Sequence, residues 1–285
     1  MNRWNGFLAT AMLTSITWTN QGHADFLPPN NLHLEDSQGN GMKEETFNEV
    51  IQKAYNFYAP IVESHGGTLK INGLWTNNTV NAHARQKGNT WEISMYGGLA
   101  RHSLINADGF ALVLCHELGH HMGGFPLRAS WAANEGQSDY FATLSCAREL
   151  WSKEARENKK HTATVDDAAK KLCDKKWRSH DDRALCYRIS DASFRISSLL
   201  AKGARLAVDT PDFSKVRRTD NRHPKSQCRL DTMMAGATCD AYFDINSIPK
   251  TEEDAKAVSC TRGQDYDFGI RPLCWFKPPE SFLTL

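Results

Sequence analysis

From Phe47 the apolar positions fall at Val50, Ile51, Ala54, Tyr55, Tyr58, Ile61 and Val62, the stripe of an amphipathic helix. Pro60 is expected to kink or end that helix early, and Gly66-Gly67 to close it. The period then shortens. Leu69–Leu74, Val80–Arg85 and Trp91–Tyr96 read as strands, the last after the turn signal Lys87-Gly88-Asn89. Helical spacing returns over 108–122, 133–152, 164–176, 181–202 and 224–236. Residues 25–41 are polar and turn-rich, the expected surface lead-in, and the Lys- and Glu-rich stretch Glu154–Lys176 predicts a solvated helix face or loop. Lys215-Val216-Arg217-Arg218 reads the same way. With no repeat and no long linker, strands early and helices later predict one α+β domain, mostly helical with a small sheet.

The N-terminus changes where that domain is expected to work. Met1-Asn2-Arg3 precedes a mostly apolar run from Trp4 to Trp18, and Gly22-His23-Ala24 puts small residues at −3 and −1 of a cut before Asp25. This is the pattern of an export signal over residues 1–24, leaving 285 − 24 = 261 residues, 25–285, to fold. The whole chain carries 34 Lys+Arg against 33 Asp+Glu; without Arg3 the balance is even. A near-neutral chain argues against nucleic acid as a partner, and no later apolar window is long enough to predict a membrane span.

All eight cysteines lie beyond residue 24, an even number suited to disulfides in an exported protein. No CxxC pair supports a zinc ribbon. Cys173–Cys186 is the simplest pairing, joining two predicted helices across a short connection. The cysteine-containing segment 239–285 closes the chain, and Cys115 could be bridged or free.

The candidate chemistry sits in the helix over 108–122, at His116-Glu117-Leu118-Gly119-His120. Histidines four apart project from one side of a helix, one turn apart, and can share a zinc ion. Glu117 lies to the side of both, where it can take a proton from a water activated by the metal. The apolar run before His116 can bury the helix, and Gly119 permits close packing on its back. The longer pattern HExxHxxGxxH fails, because Pro126 stands at its last position. On the next predicted helix, Glu135 and Asp139 again share one face. One carboxylate can complete the metal site, and the other can hold the free N–H of a ligand histidine.

HELGH followed by Asn134-Glu135 and Ser138-Asp139 resembles the gluzincin metallopeptidases, most of all the HtpX-like and CAAX prenyl protease group. Three more stretches carry the likeness: the hairpin from Asn81-Ala82 through Trp91–Leu99, the lead from Asp108 to Cys115, and His223-Pro224-Lys225-Ser226-Gln227-Cys228-Arg229. The resemblance covers roughly residues 80–235. It implies a zincin-like fold, zinc bound by His116, His120 and Glu135, and Glu117 as general base. It further implies that Asp139 orients a ligand, His223 stabilises the oxyanion and Arg229 pairs with a site carboxylate. A polypeptide substrate would lie along Trp91–Tyr96, taken as an edge strand lining the cleft. Only 14 residues separate His120 from Glu135, and segment 239–285 has no counterpart in the family. The expected function is therefore an exported zinc metalloendopeptidase, periplasmic or secreted. Set against it is a non-peptidase: a disulfide-stapled chaperone or binding module that keeps a zinc site, or a hydrolase of another amide.

Overall fold

A computed structural model describes residues 23–34, 42–262 and 264–278. The predicted export signal lies almost wholly outside these residues, as does part of the expected lead-in. The fold is α+β. Its sheet has four strands, β1 (Ala24–Asp25), β2 (Thr68–Leu74), β3 (Ala82–Lys87) and β4 (Thr90–Tyr96), in the order β1-β3-β4-β2. β1 runs antiparallel to β3 and β3 to β4, while β2 runs parallel to β4, from Thr68 beside Thr90 to Leu74 beside Tyr96.

β4 is thus an interior strand. Trp91–Tyr96 was expected to be the edge that receives a substrate, but both of its hydrogen-bonding edges are already filled, by β2 and by β3. Strand order depends on contacts distant in sequence, and an alternating pattern is the same at an edge and inside.

α1 (Glu44–Ser64) covers β2 with Phe47, Ala54, Tyr58 and Val62 buried. Contrary to expectation it runs through Pro60. Pro60 and Asn56 are both on the exposed face, so the carbonyl that loses its helical partner faces water. α2 (Gly97–Arg101) follows β4 directly.

α3 (Ala107–Met122) is the central element, packed on the sheet, on α1, and on three helices of the second half. Residues 109–122 are all buried, as an all-round apolar helix requires. The Asn106 side chain caps it, accepting from Gly109 N at 2.8 Å. A short hairpin, β5 (Leu127–Ala129) and β6 (Ala132–Ala133), leads to α4 (Glu135–Phe141). The predicted helix over 133–152 is realised as α4, one π turn at Ala142–Cys146 and α5 (Ala147–Trp151).

The region expected to be a solvated face holds α6 (Ala155–Lys160) and α7 (Asp167–Lys176). It is largely exposed but anchored by buried Asn158, Val165, Ala169 and Cys173. α8 (His180–Ala201) and α9 (Ser226–Thr238) complete the helical layer. Lys215–Arg218 lies in irregular chain, and among the described residues after α9 only α10 (Glu252–Ala257) is regular.

Four disulfides use every cysteine: Cys115–Cys146, Cys173–Cys186, Cys228–Cys274 and Cys239–Cys260. The pairing expected between α7 and α8 is present, and Cys115 is bridged to the π turn. Among the described residues no helix is long and apolar enough to cross a membrane.

The expected surface lead-in departs most from expectation. Phe26 and Leu27 are buried, and the segment adds to the free edge of β3.

Candidate metal centre

Two helices that touch build the centre. Gly119 of α3 faces Ser138 of α4 so closely that a Cβ there would lie 2.9 Å from the Ser138 Cα. That approach places His116 and His120 opposite Glu135. One ligand atom from each of the three lies within 4.8 Å of the others, and the group can hold a metal ion. His116 Nε2 is 3.3 Å and His120 Nε2 3.8 Å from Glu135 Oε2.

The far side of each residue is tied down. His116 Nδ1 donates to Asp139 Oδ1 at 2.8 Å, and His120 Nδ1 donates to Ala133 O at 3.0 Å, with Ser138 Oγ also at 3.0 Å. Glu135 Oε1 accepts from Arg128 Nη1 at 2.8 Å. The inward atoms have no such partner: His116 Nε2, His120 Nε2 and Glu135 Oε2 are buried and make no hydrogen bond, and neither oxygen of buried Glu117 does either. Buried polar atoms are nearly always paired. Three outer atoms held and three inner atoms left over are what a metal's donor set needs.

Asp139 is the pivot of the support. Its carboxylate takes His116 on one side and Arg229 on the other, from Nη2 at 2.6 Å and Nε at 2.7 Å. Arg229, on α9, also donates to the Phe26 carbonyl at 2.9 Å. His223 Nε2 lies 3.4 Å from Glu135 Oε2 and donates to Asp25 O at 2.7 Å. Its loop is held by the cap of α4: Asn134 Oδ1 accepts from Gln137 N, while its Nδ2 donates to Asp220 O at 3.2 Å.

Electrostatics separate the two ligand histidines. Burial opposes charge on His116, but the Asp139 and Glu135 carboxylates together outweigh it and push its pKa up to about 9. Burial dominates at His120, whose pKa falls to about 4, and at His121, where it falls to about 3. Burial also drives the Glu117 carboxyl well above the usual range. Burial acts upward on Glu135 and Asp139 as well, but it is outweighed: His120 and His116 hold Glu135 low, and Arg229 and His116 hold Asp139 low.

The structure therefore brings together every residue singled out from the sequence: His116, Glu117, His120, Glu135, Asp139, His223 and Arg229. Arg128, Ser138, Asn134 and Phe26 also belong to the centre, with Phe26 set edge-on against the His116 ring. Of these only Asn134 lay within a quoted motif with a readable role, as a helix cap. Comparison of the chain with protein-family models, with curated proteins and with solved structures finds no match.

Proposed function

We propose that this protein is an exported zinc metalloendopeptidase of zincin-like fold, with Glu135 as the third protein ligand. One observation carries the reading: the unpartnered inward atoms of His116, His120 and Glu135 converge, and the carboxyl of Glu117, next to His116 in the chain and interacting with Glu135, is equally buried and unpartnered. Leaving that many buried polar atoms unpaired is costly, and two imidazoles with one carboxylate suit zinc. Bound there, zinc supplies Lewis acidity toward a peptide carbonyl and lowers the pKa of the attacking water.

The chain's own residues do the rest. Glu117 takes the proton of the attacking water and returns it to the leaving amine. Asp139 fixes which His116 nitrogen faces inward, and Arg229 balances the Asp139 charge. His223 stands at the edge of the centre with its Nε2–H given to Asp25 O; released from that carbonyl, it is a donor for a developing oxyanion. Four disulfides fit a protein that works outside the reducing cytoplasm, in line with the expected export signal.

Cleavage of unfolded casein, followed with and without chelator, tests the reading. Glu117→Gln is expected to lower the rate on the order of 10²–10⁴-fold while zinc content stays unchanged. Wild-type rates in that variant would sink the assignment. One zinc per chain without any hydrolysis would favour the stapled binding module instead.

A further inference from the structure

The strongest unexplained feature is the seat taken by residues Asp25–Leu27. Ala24 and Asp25 pair antiparallel with β3, Asp25 opposite His83; the chain then bends at Phe26–Leu27, with Phe26 N donating to Ala82 O at 3.0 Å. Strand addition of this kind is how sheets take up extended peptides, through main-chain bonds. Two consecutive carbonyls of the segment then accept from the metal centre: Asp25 O from His223 Nε2 at 2.7 Å, and Phe26 O from Arg229 Nη1 at 2.9 Å. The next residue is held the same way, because Asn81 Oδ1 accepts from Leu27 N at 2.9 Å. All of these bonds go to main-chain atoms. Side-chain identity enters at Phe26, whose fully buried ring sits 5.3 Å from the His116 ring and 4.7 Å from the Arg229 guanidinium.

A strand held by its backbone, with one aromatic anchor against a metal ligand, has the geometry of a bound peptide. It also explains why a centre meant to meet polypeptides is closed: His116, Glu117, His120 and Glu135 are all 0% exposed.

We propose that Asp25–Leu27 is an internal peptide ligand of the metal centre, an autoinhibitory strap on β3 that an extended polypeptide with a large apolar residue at the Phe26 position must displace. The inference rests on the peptidase reading for its consequence, but not for its geometry. The strap remains tethered through residue 28 onward, where Leu32 O accepts from Val80 N at 3.1 Å and Leu34 N donates to Asn78 O at 2.8 Å, so it competes at an effective concentration on the order of millimolar. The bonds of Asp25 O, Phe26 N, Phe26 O and Leu27 N lie after the expected cut, while the pairing of Ala24 with Ala84 lies before it.

The test cuts the tether. A site-specific protease sequence is inserted between Gly39 and Asn40 of the full chain, and the cut protein is passed through gel filtration at micromolar concentration. The fragment is expected to dissociate, and hydrolysis of a fluorogenic peptide to rise by at least about tenfold as the tethered competitor is lost. A fluorescent peptide of residues 23–34 should bind the cut Glu117→Gln protein in anisotropy measurements. That binding should weaken with chelator and fall by at least about tenfold when the peptide carries Phe26→Gly, since an aromatic anchor dominates such contacts. A fragment that co-elutes, a cut chain that unfolds, or an emptied edge that does not rebind the peptide would overturn the strap, making the segment a fixed strand. Equal hydrolysis before and after fragment release would likewise retire the strap and leave the peptidase reading standing. Peptide rebinding without any hydrolysis would retire the peptidase reading and leave the strap.

Discussion

The two faces of α4 are supported in opposite ways. The face bearing Glu135 and Asp139 meets α3 and α9 through buried charges, with Asp139 shared between His116 and Arg229. The other face, at Gly136 and Tyr140, meets the irregular chain after α9. There Tyr140 donates to Gly269 O at 2.7 Å and accepts from Cys260 N at 3.2 Å, and a Cβ on Gly136 would stand 2.2 Å from the Trp275 ring. That chain has a single short helix among its described residues and is held by Cys239–Cys260 and Cys228–Cys274. The charged side selects where atoms point, while the stapled side supplies the packing that keeps α4 in place.

Removing one charge should break the first side hardest. Asp139→Asn leaves the Arg229 guanidinium buried with a weakened partner, at a cost of about 3–5 kcal/mol in chemical denaturation. The same variant should weaken metal binding about 10–100-fold in chelator competition, because His116 loses the carboxylate that orients it. Replacing both partners, as Asp139→Leu with Arg229→Met, should restore much of the stability but not the metal affinity. Recovery of both would mean that the pair is only structural.

On the stapled side the expected effect is smaller and of another kind. Cys228→Ala with Cys274→Ala should cost about 2–4 kcal/mol of stability. Metal affinity in the folded variant should stay within about threefold, since no ligand touches that bridge. A collapse in affinity at unchanged fold would erase the division between the two faces.

The smallest effect lies away from both. His161 bridges Asp108 and Asp191, with its two ring nitrogens 3.2 Å from each, and bonds to Asp108 first and Asp191 second raise its pKa to about 9. A pKa raised on folding stabilises fully below the unfolded value, about 6.5, and the gain is lost as pH rises through about 9. Wild type should therefore exceed His161→Gln in Tm at pH 6, and the gap should close by pH 10. A gap that widens with pH would reverse the assigned sign.

Much of this was readable from residue order because it is local. The stripe from Phe47 to Val62 marks α1, the apolar run to Cys115 marks α3, and site residues four apart, His116 with His120 and Glu135 with Asp139, mark both faces of the centre. Cys173–Cys186 followed from two neighbouring helices with a short connection. What was hidden depends on partners far along the chain. Arg128 reaches Glu135 only because the β5–β6 hairpin folds back, and Phe26 finds Arg229 across two hundred residues. β4 alternates as an edge strand would, yet pairing with β2 makes it interior. Pro60 stays within its helix because it faces water, which spacing alone does not decide.

The central claim is that His116, His120 and Glu135 form one metal site. Elemental analysis of the purified protein, beside a folded His120→Ala variant, tests it most directly. The predicted result is one zinc per wild-type chain and essentially none in the variant. A wild-type chain that takes up no zinc when it is supplied, or a variant that holds as much as wild type, would contradict it.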